Sequence, residues 1–321
     1  MHISSEPIAS IQAISRIQPA KVLITHNVRY AEAHSNPAGP SDSRPTTRQI
    51  IKDEAVEGKL SGKVIVVTGT SSGIGIETAR ALALTGAMLL LTARDLNKAK
   101  SALDGILEPE RVELVEMDNT SLSSVRAAAK AILQKSNGQV NILVNNAGIM
   151  ALPKWILLAS ASPEFSSRVV NVSSFAHHVA SINEFGDYNF EKTEYNDRVS
   201  YGQSKTANIY MANEIERRYA SRGLHATSVH PGMIATALMQ YMDPAMVESF
   251  KSNEEMYKVM KSPEQGAATT VWAAIGQEWE KKGGEYLAEC GKTTRGNDNH
   301  EIAGVGFAGH VYDAEKEGRL W

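Results

Sequence analysis

One cysteine, Cys290, stands alone in 321 residues, so no internal disulfide can form. A reducing compartment, the cytoplasm, is the expected setting, and Cys290 reads as a small filler near a strand end. No apolar run approaches the roughly 18 residues needed to cross a bilayer, which excludes a transmembrane segment. Neither sign of charge dominates. The balance of 33 Lys and Arg against 36 Asp and Glu gives −3, with no electrostatic case for nucleic acid or a membrane surface as partner. Nine histidines show no HExxH-type spacing, so no metal is expected. There is no internal repeat. What the chain does have is length and 42% hydrophobic residues, enough to bury a sizeable core.

Residues 1–57 read as an N-terminal extension and arm, partly disordered, and residues 58–321 as a single domain beginning near Gly58. Ile8, Ile11, Ile14 and Ile17 fall at helical spacing, a faint mitochondrial-targeting pattern that Glu6 and the sparse positive charge oppose. The stretch SNPAGPSDSRPTTR (35–48) is rich in Pro, Gly and Ser, as in a linker or extended arm.

Downstream, the runs KVIVVTG (63–69), AMLLLTA (87–93), RVELVEM (111–117), QVNILVNN (139–146), RVVNVSS (168–174) and LHATSVH (224–230) are short and apolar, like buried strands. Helical segments separate them: ETARALALTG (77–86) ends in glycine, Asp95 caps the next, and a Ser/Thr cluster precedes SVRAAAKAILQKS. Strands alternating with helices predict a parallel sheet covered on both faces. The fold class is α/β, a Rossmann-type doubly wound sheet in three α/β/α layers.

The first strand runs into TGTSSGIG (68–75) at the start of a helix. Gly69, Gly73 and Gly75, with Ser71, Ser72 and Ile74 between them, form a loop whose backbone can approach a pyrophosphate, with the helix N-terminus meeting its charge. At the end of the second strand, where an NAD-binding chain usually carries Asp or Glu, stands Arg94. It can clamp a 2′-phosphate, or it is a solvated surface arginine; the first reading favours NADP(H) over NAD(H). Asp118, after the third strand, accepts from an adenine amino group or caps the following helix.

In this order, TGTSSGIG, NNAG (145–148), VNVSS (170–174), YGQSK (201–205) and HPGMIAT (230–236) resemble the short-chain dehydrogenase/reductase family. SRVVNVSSFAHH and YGQSKTANIYMANEIERR are similar to its retinol-dehydrogenase-like and WW-domain-oxidoreductase-like branch. The resemblance covers about residues 28–321 and implies hydride transfer between nicotinamide and a carbonyl or alcohol carbon, which needs a proton donor or acceptor at the oxygen.

Tyr-xxx-Lys by itself does not find that group, because it occurs four times, as Tyr188/Lys192, Tyr201/Lys205, Tyr257/Lys261 and Tyr312/Lys316. Only Tyr201 lies on a long helix after a Ser-Ser pair at a strand end; the other three read as surface pairs. The resemblance then makes Tyr201 the acid/base and Lys205 the cation that favours its phenolate and holds the nicotinamide ribose. Ser174, with Ser173 as the alternative, would bond the substrate oxygen. Pro231, Gly232 and Thr236 would fix the carboxamide. Asn145, Ala147 and Gly148 would floor the adenine ribose.

The family's catalytic Asn, in an Asn-His-x-Gly-His-Phe context on a long helix, has no counterpart between Gly148 and Arg168. KWILLASASPEFSS resembles that helix's tail joined directly to the NNAG loop. The crossover between the fourth and fifth strands is thus predicted to be short, with a helix from Pro153 to about Phe165 rising about 20 Å. The expected consequences are apolar groups left exposed on the sheet, a poorly enclosed nicotinamide end and an impaired enzyme. Asn171 and Asn208 do not obviously replace the missing Asn. Met and Tyr in residues 237–262 suggest an apolar substrate. The expected partner is a small carbonyl or alcohol.

Overall fold

Val, Ile and Leu fill the six apolar runs, and each becomes a strand because such side chains pack on a pleated, buried surface. The strands are β1 Val64–Thr68, β2 Met88–Ala93, β3 Val112–Glu116, β4 Ile142–Asn145, β5 Ser167–Val172 and β6 Leu224–His230. Two short strands lie beyond the six runs, β7 Tyr286–Ala288 and β8 Gly291–Lys292. In this computed structural model the described residues are 29–147, 154–183, 187–188, 190–236, 247–248, 252–296 and 306–321. The sheet runs β3-β2-β1-β4-β5-β6-β7-β8, parallel except for β8. From β1 the chain steps outward to β2 and β3, then returns to the far side of β1 as β4. The ends of β1 and β4 therefore frame the crevice that this topology opens to ligands.

Alternate residues of each strand enter opposite cores. Ile65, Val67, Leu89, Leu91, Ile142, Val144 and Val170 pack with α3 (Ile74–Ala83) and with α9 (Pro263–Ile275), which follows the short α8 (Glu254–Val259). Val64, Val66, Leu90, Leu143 and Val169 pack with α5 (Leu122–Lys135), α6 (Lys154–Ser160) and α7 (Asp197–Tyr219). Each such side chain contributes about 1.5–3 kcal/mol on burial. The result is the three-layer Rossmann-type fold expected from the alternation.

Caps set the helix starts. Asp95 accepts from Lys98 N at 2.9 Å to open α4 (Leu96–Ala102), and Ser121 accepts from Ser124 N to open α5. Upstream of Gly58, α1 (Ala31–Ser35) and α2 (Thr47–Asp53) are also packed. Ile50 and Ile51 are 0% and 1% exposed and belong to the first core, so the compact unit takes in chain before Gly58.

The β4–β5 crossover is short, as expected, but its helix is shorter still. The α6 helix ends at Ser160, not Phe165. Pro163 disfavours helix at Ser162, and Ser162 and Phe165 exchange backbone hydrogen bonds around a turn instead. Exposed apolar groups on β4 and β5 do not occur: every residue of both strands is buried, with Leu157 and helix α7 covering them.

Candidate active site

Positive φ at Gly69 (71°) turns the chain out of β1, and a Cβ there would lie 2.3 Å from that of Ala147. At Gly75 a Cβ would fall 2.2 Å from the Gly69 carbonyl oxygen. Only glycine fits either place. Asn146 braces the loop, donating from Nδ2 to Thr68 O at 2.9 Å and Gly69 O at 3.1 Å.

Beside the loop, a cleft of ≈ 360 Å³ is lined by Gly69, Ser71, Arg94, Lys98, Asp118 and Ala147 among others. Arg94 and Lys98 bring two cations to this cleft, together with the hydroxyl of Ser71 and the backbone of the glycine turn. Lys98 was not singled out by motif, although its signal was present, since a capping Asp95 puts residue 98 in the first turn beside Arg94. Asp118 does not cap α5, a role Ser121 takes. Its carboxylate accepts from Thr120 N and Oγ1 at 2.9 and 2.8 Å, which holds it below the ordinary carboxylate range.

Ser72 is exposed, and Gly73 is the N-cap of α3. Ile74 packs toward Gly266. A Cβ on Gly73 would lie 3.6 Å from Thr236, so the glycine loop meets the Pro231–Thr236 segment after β6. Asn145 does not join Ala147 at the cleft. It is buried, and its Nδ2 donates to Asn171 Oδ1 at 2.8 Å, inside the sheet. Gly148 lies outside the described residues.

Ser174, Tyr201 and Lys205 converge. Ser174 hydrogen-bonds the Tyr201 hydroxyl, and the Lys205 amine lies 5.3 Å from the Tyr201 ring centroid. Gly202 makes this possible: a Cβ there would be 2.9 Å from Ala176 O, so its absence lets α7 press against the turn Phe175–His178 that follows Ser174. Ser173 is excluded from the cluster, because its hydroxyl donates to Lys205 O at 2.8 Å and it is buried. Val172 O accepts from Lys205 Nζ at 3.2 Å and from Asn208 Nδ2 at 3.0 Å, so Asn208 shares the lysine's anchor.

Burial pushes the Tyr201 phenol above its ordinary value, opposed by the bond from Ser174. Burial also pushes the Lys205 amine down to about 8. The expected lowering of Tyr201 by the neighbouring ammonium is therefore not what these side chains produce, since the amine faces the ring and Val172 O rather than the hydroxyl.

Of the other Tyr/Lys pairs, Tyr188 and Lys192 are exposed, as expected. Lys261 instead is 2% exposed and ion-paired with Glu289, and the Tyr312 hydroxyl accepts from Tyr286 N at 3.1 Å. Only Lys261 departs from the surface reading, since Tyr257 and Tyr312 are exposed, and its burial is fixed by a partner distant in sequence.

The short chain dehydrogenase family model matches residues 63–182. Short-chain dehydrogenase/reductase prx1 of Penicillium rubens is 46% identical, over 92% of this chain and 93% of that protein. The chain belongs to the short-chain dehydrogenase/reductase family. It is accordingly placed among oxidoreductases that use a nicotinamide cofactor and act on small molecules. Retinol dehydrogenase 13 of Mus musculus is 31% identical over 71% of this chain and 76% of that protein. A solved structure of a putative uncharacterized protein from Mycobacterium paratuberculosis, 27% identical, superposes with a TM-score of 0.58 over 84% of this chain and 94% of that one. Among the described residues no helix is long and apolar enough to cross a membrane.

Proposed function

We propose that this family member is an NADP(H)-dependent reductase or dehydrogenase acting on a carbonyl or alcohol of an apolar small molecule. The observation that carries the reading is the convergence of Ser174, Tyr201 and Lys205, joined to the end of β6 by the Phe175 N to His230 Nδ1 bond at 3.3 Å. Arg94 and Lys98 would hold the 2′-phosphate, the glycine loop the pyrophosphate, and Lys205 with the Pro231–Thr236 backbone the nicotinamide end. Bound nicotinamide supplies or accepts the hydride.

The protein's own part is proton control. Ser174 positions the substrate oxygen. Tyr201 gives that oxygen its proton in reduction and takes it back in oxidation. Lys205 brings its amine to within 5.3 Å of the Tyr201 ring centroid, where it would meet the nicotinamide ribose.

A second reading, slow turnover or nucleotide-dependent binding of a partner, is favoured by the short α6 crossover. The match to the Penicillium protein runs over 321 positions yet takes in only 92% of this chain, so part of that relative has no counterpart here. The test is Tyr201→Phe with NADPH and a panel of aldehydes and ketones. Loss of carbonyl reduction with NADPH affinity intact supports the enzyme. An inactive parent that still binds NADPH leaves the second reading standing, and activity surviving in Tyr201→Phe sinks the assignment.

A further inference from the structure

Apart from the Ser174–Tyr201–Lys205 cluster, the chain buries a second set of titratable side chains: His34, Arg44, Lys261 and Glu289, exposed by 3%, 4%, 2% and 8%. Lys261 Nζ pairs with Glu289 Oε1 at 2.9 Å, and His34 Nδ1 reaches the other carboxylate oxygen. Burial alone would raise the Glu289 carboxyl, but Lys261 and His34 hold it well below the ordinary range.

This cluster grips the loop after β6. The Lys261 amine donates to Pro231 O at 3.4 Å, its backbone N donates to Met233 O at 2.8 Å, and its side chain lies 3.0 Å from where a Cβ on Gly232 would be. The chain carrying Lys261 is itself held by the arm. Arg44 donates to the carbonyls of Val259 at 3.0 Å and Met260 at 2.5 Å, while Gly39 N donates to Lys258 O at 2.9 Å. Gln265 ties Asp42 and the Arg44 carbonyl to the start of α9.

We infer that residues 34–44 are a built-in clasp for the nicotinamide end of the site: His34, through Glu289, and Arg44 fix Lys261, and Lys261 fixes Pro231–Ile234. An uncompensated buried charge strongly destabilises its surroundings, and here Lys261 is paired with Glu289 and Arg44 with Asp42. The inference rests on the proposed assignment of that loop to nicotinamide. Lys261, Glu289, His34 and Arg44 are positioning residues, because none reaches the Ser174–Tyr201–Lys205 cluster.

The test compares NADPH with 2′,5′-ADP, which carries the adenosine phosphates and lacks nicotinamide, by calorimetric titration of the full chain. Lys261→Met should weaken NADPH by about tenfold or more, leave 2′,5′-ADP within about twofold, and increase hydrogen exchange in residues 231–236. His34→Gln should move NADPH the same way by less. If Lys261→Met fails to fold, the paired Lys261→Met/Glu289→Met variant removes the orphaned carboxylate and should show the same selective loss. Equal loss of both ligands, or loss of neither, overturns the clasp. A parent that binds NADPH no more tightly than 2′,5′-ADP overturns the loop assignment itself, and the clasp with it.

Discussion

At the scale of single residues, charge and burial make separate demands on Arg94 and Lys205. Arg94 lines the cleft beside Lys98. Arg94→Ala should therefore bring NADPH affinity toward that of NADH, by about 1–2 kcal/mol if one charge-assisted bond is lost. Fluorescence titration of both cofactors checks this, and equal affinities in the parent would sink it.

Lys205 is held down to about 8 from an ordinary value of 10.5 by burial. A group depressed in this way takes up its proton more readily in the unfolded chain, so its contribution to stability is present above 10.5 and declines as pH falls toward 8. At neutral pH the ammonium burdens the fold. Lys205→Met should raise Tm by roughly 2–4 °C while abolishing reduction, measured by thermal melts and turnover in parallel. A lower Tm would show that the bond to Val172 O outweighs desolvation.

Between elements, the contact of α7 with the Phe175–His178 turn decides whether Ser174 meets Tyr201. Gly202→Ala would force a methyl to 2.9 Å from a backbone oxygen, which cannot move as a flexible side chain could. Overpacking of this kind costs about 1–3 kcal/mol, and here the strain should open the Ser174–Tyr201 distance. The expected outcome is a lower kcat with NADPH Kd little changed. The α6 crossover is the other element to test. Its strands are buried without a longer helix, so inserting a family-like segment between Pro153 and Lys154 should act on turnover more than on folding. Expressing both forms and comparing Tm, NADPH affinity and turnover checks this. Equal turnover would make the short crossover a tolerated variation.

For the whole molecule, acid is the expected weakness. His177 is fully buried and pushed down to about 3, first by burial and then by His178; its Nε2 accepts from Ala308 N at 3.1 Å, tying the C-terminal segment to the turn after β5. Burial, with Lys261 nearby, brings His230 down to about 4. Both stay neutral in the fold and charge in the unfolded chain below about 6.5. Stability is therefore complete above 6.5 and falls with pH toward 3–4, His177 alone costing about 2 kcal/mol at pH 5. Urea midpoints at pH 7.5 and 5 measure it, and an unchanged midpoint would contradict the burial of these rings.

The sequence by itself determined the order of the first six strands and their helices, the glycine turn after β1 and the choice of the Tyr201/Lys205 pair on its long helix. Those depend on period, on caps a few residues apart and on motifs that one turn of chain presents together. Only tertiary structure decided between Ser173 and Ser174, turned Asn145 toward Asn171, stopped α6 at Ser160 and buried Lys261. It also packed against the core a Pro- and Ser-rich stretch legible in sequence as a linker or an extended arm. The physical reason is separation along the chain. Arg44 meets Met260 across 216 positions and Ser173 meets Lys205 across 32, contacts that no local pattern encodes and that arise when the sheet brings distant segments to one edge.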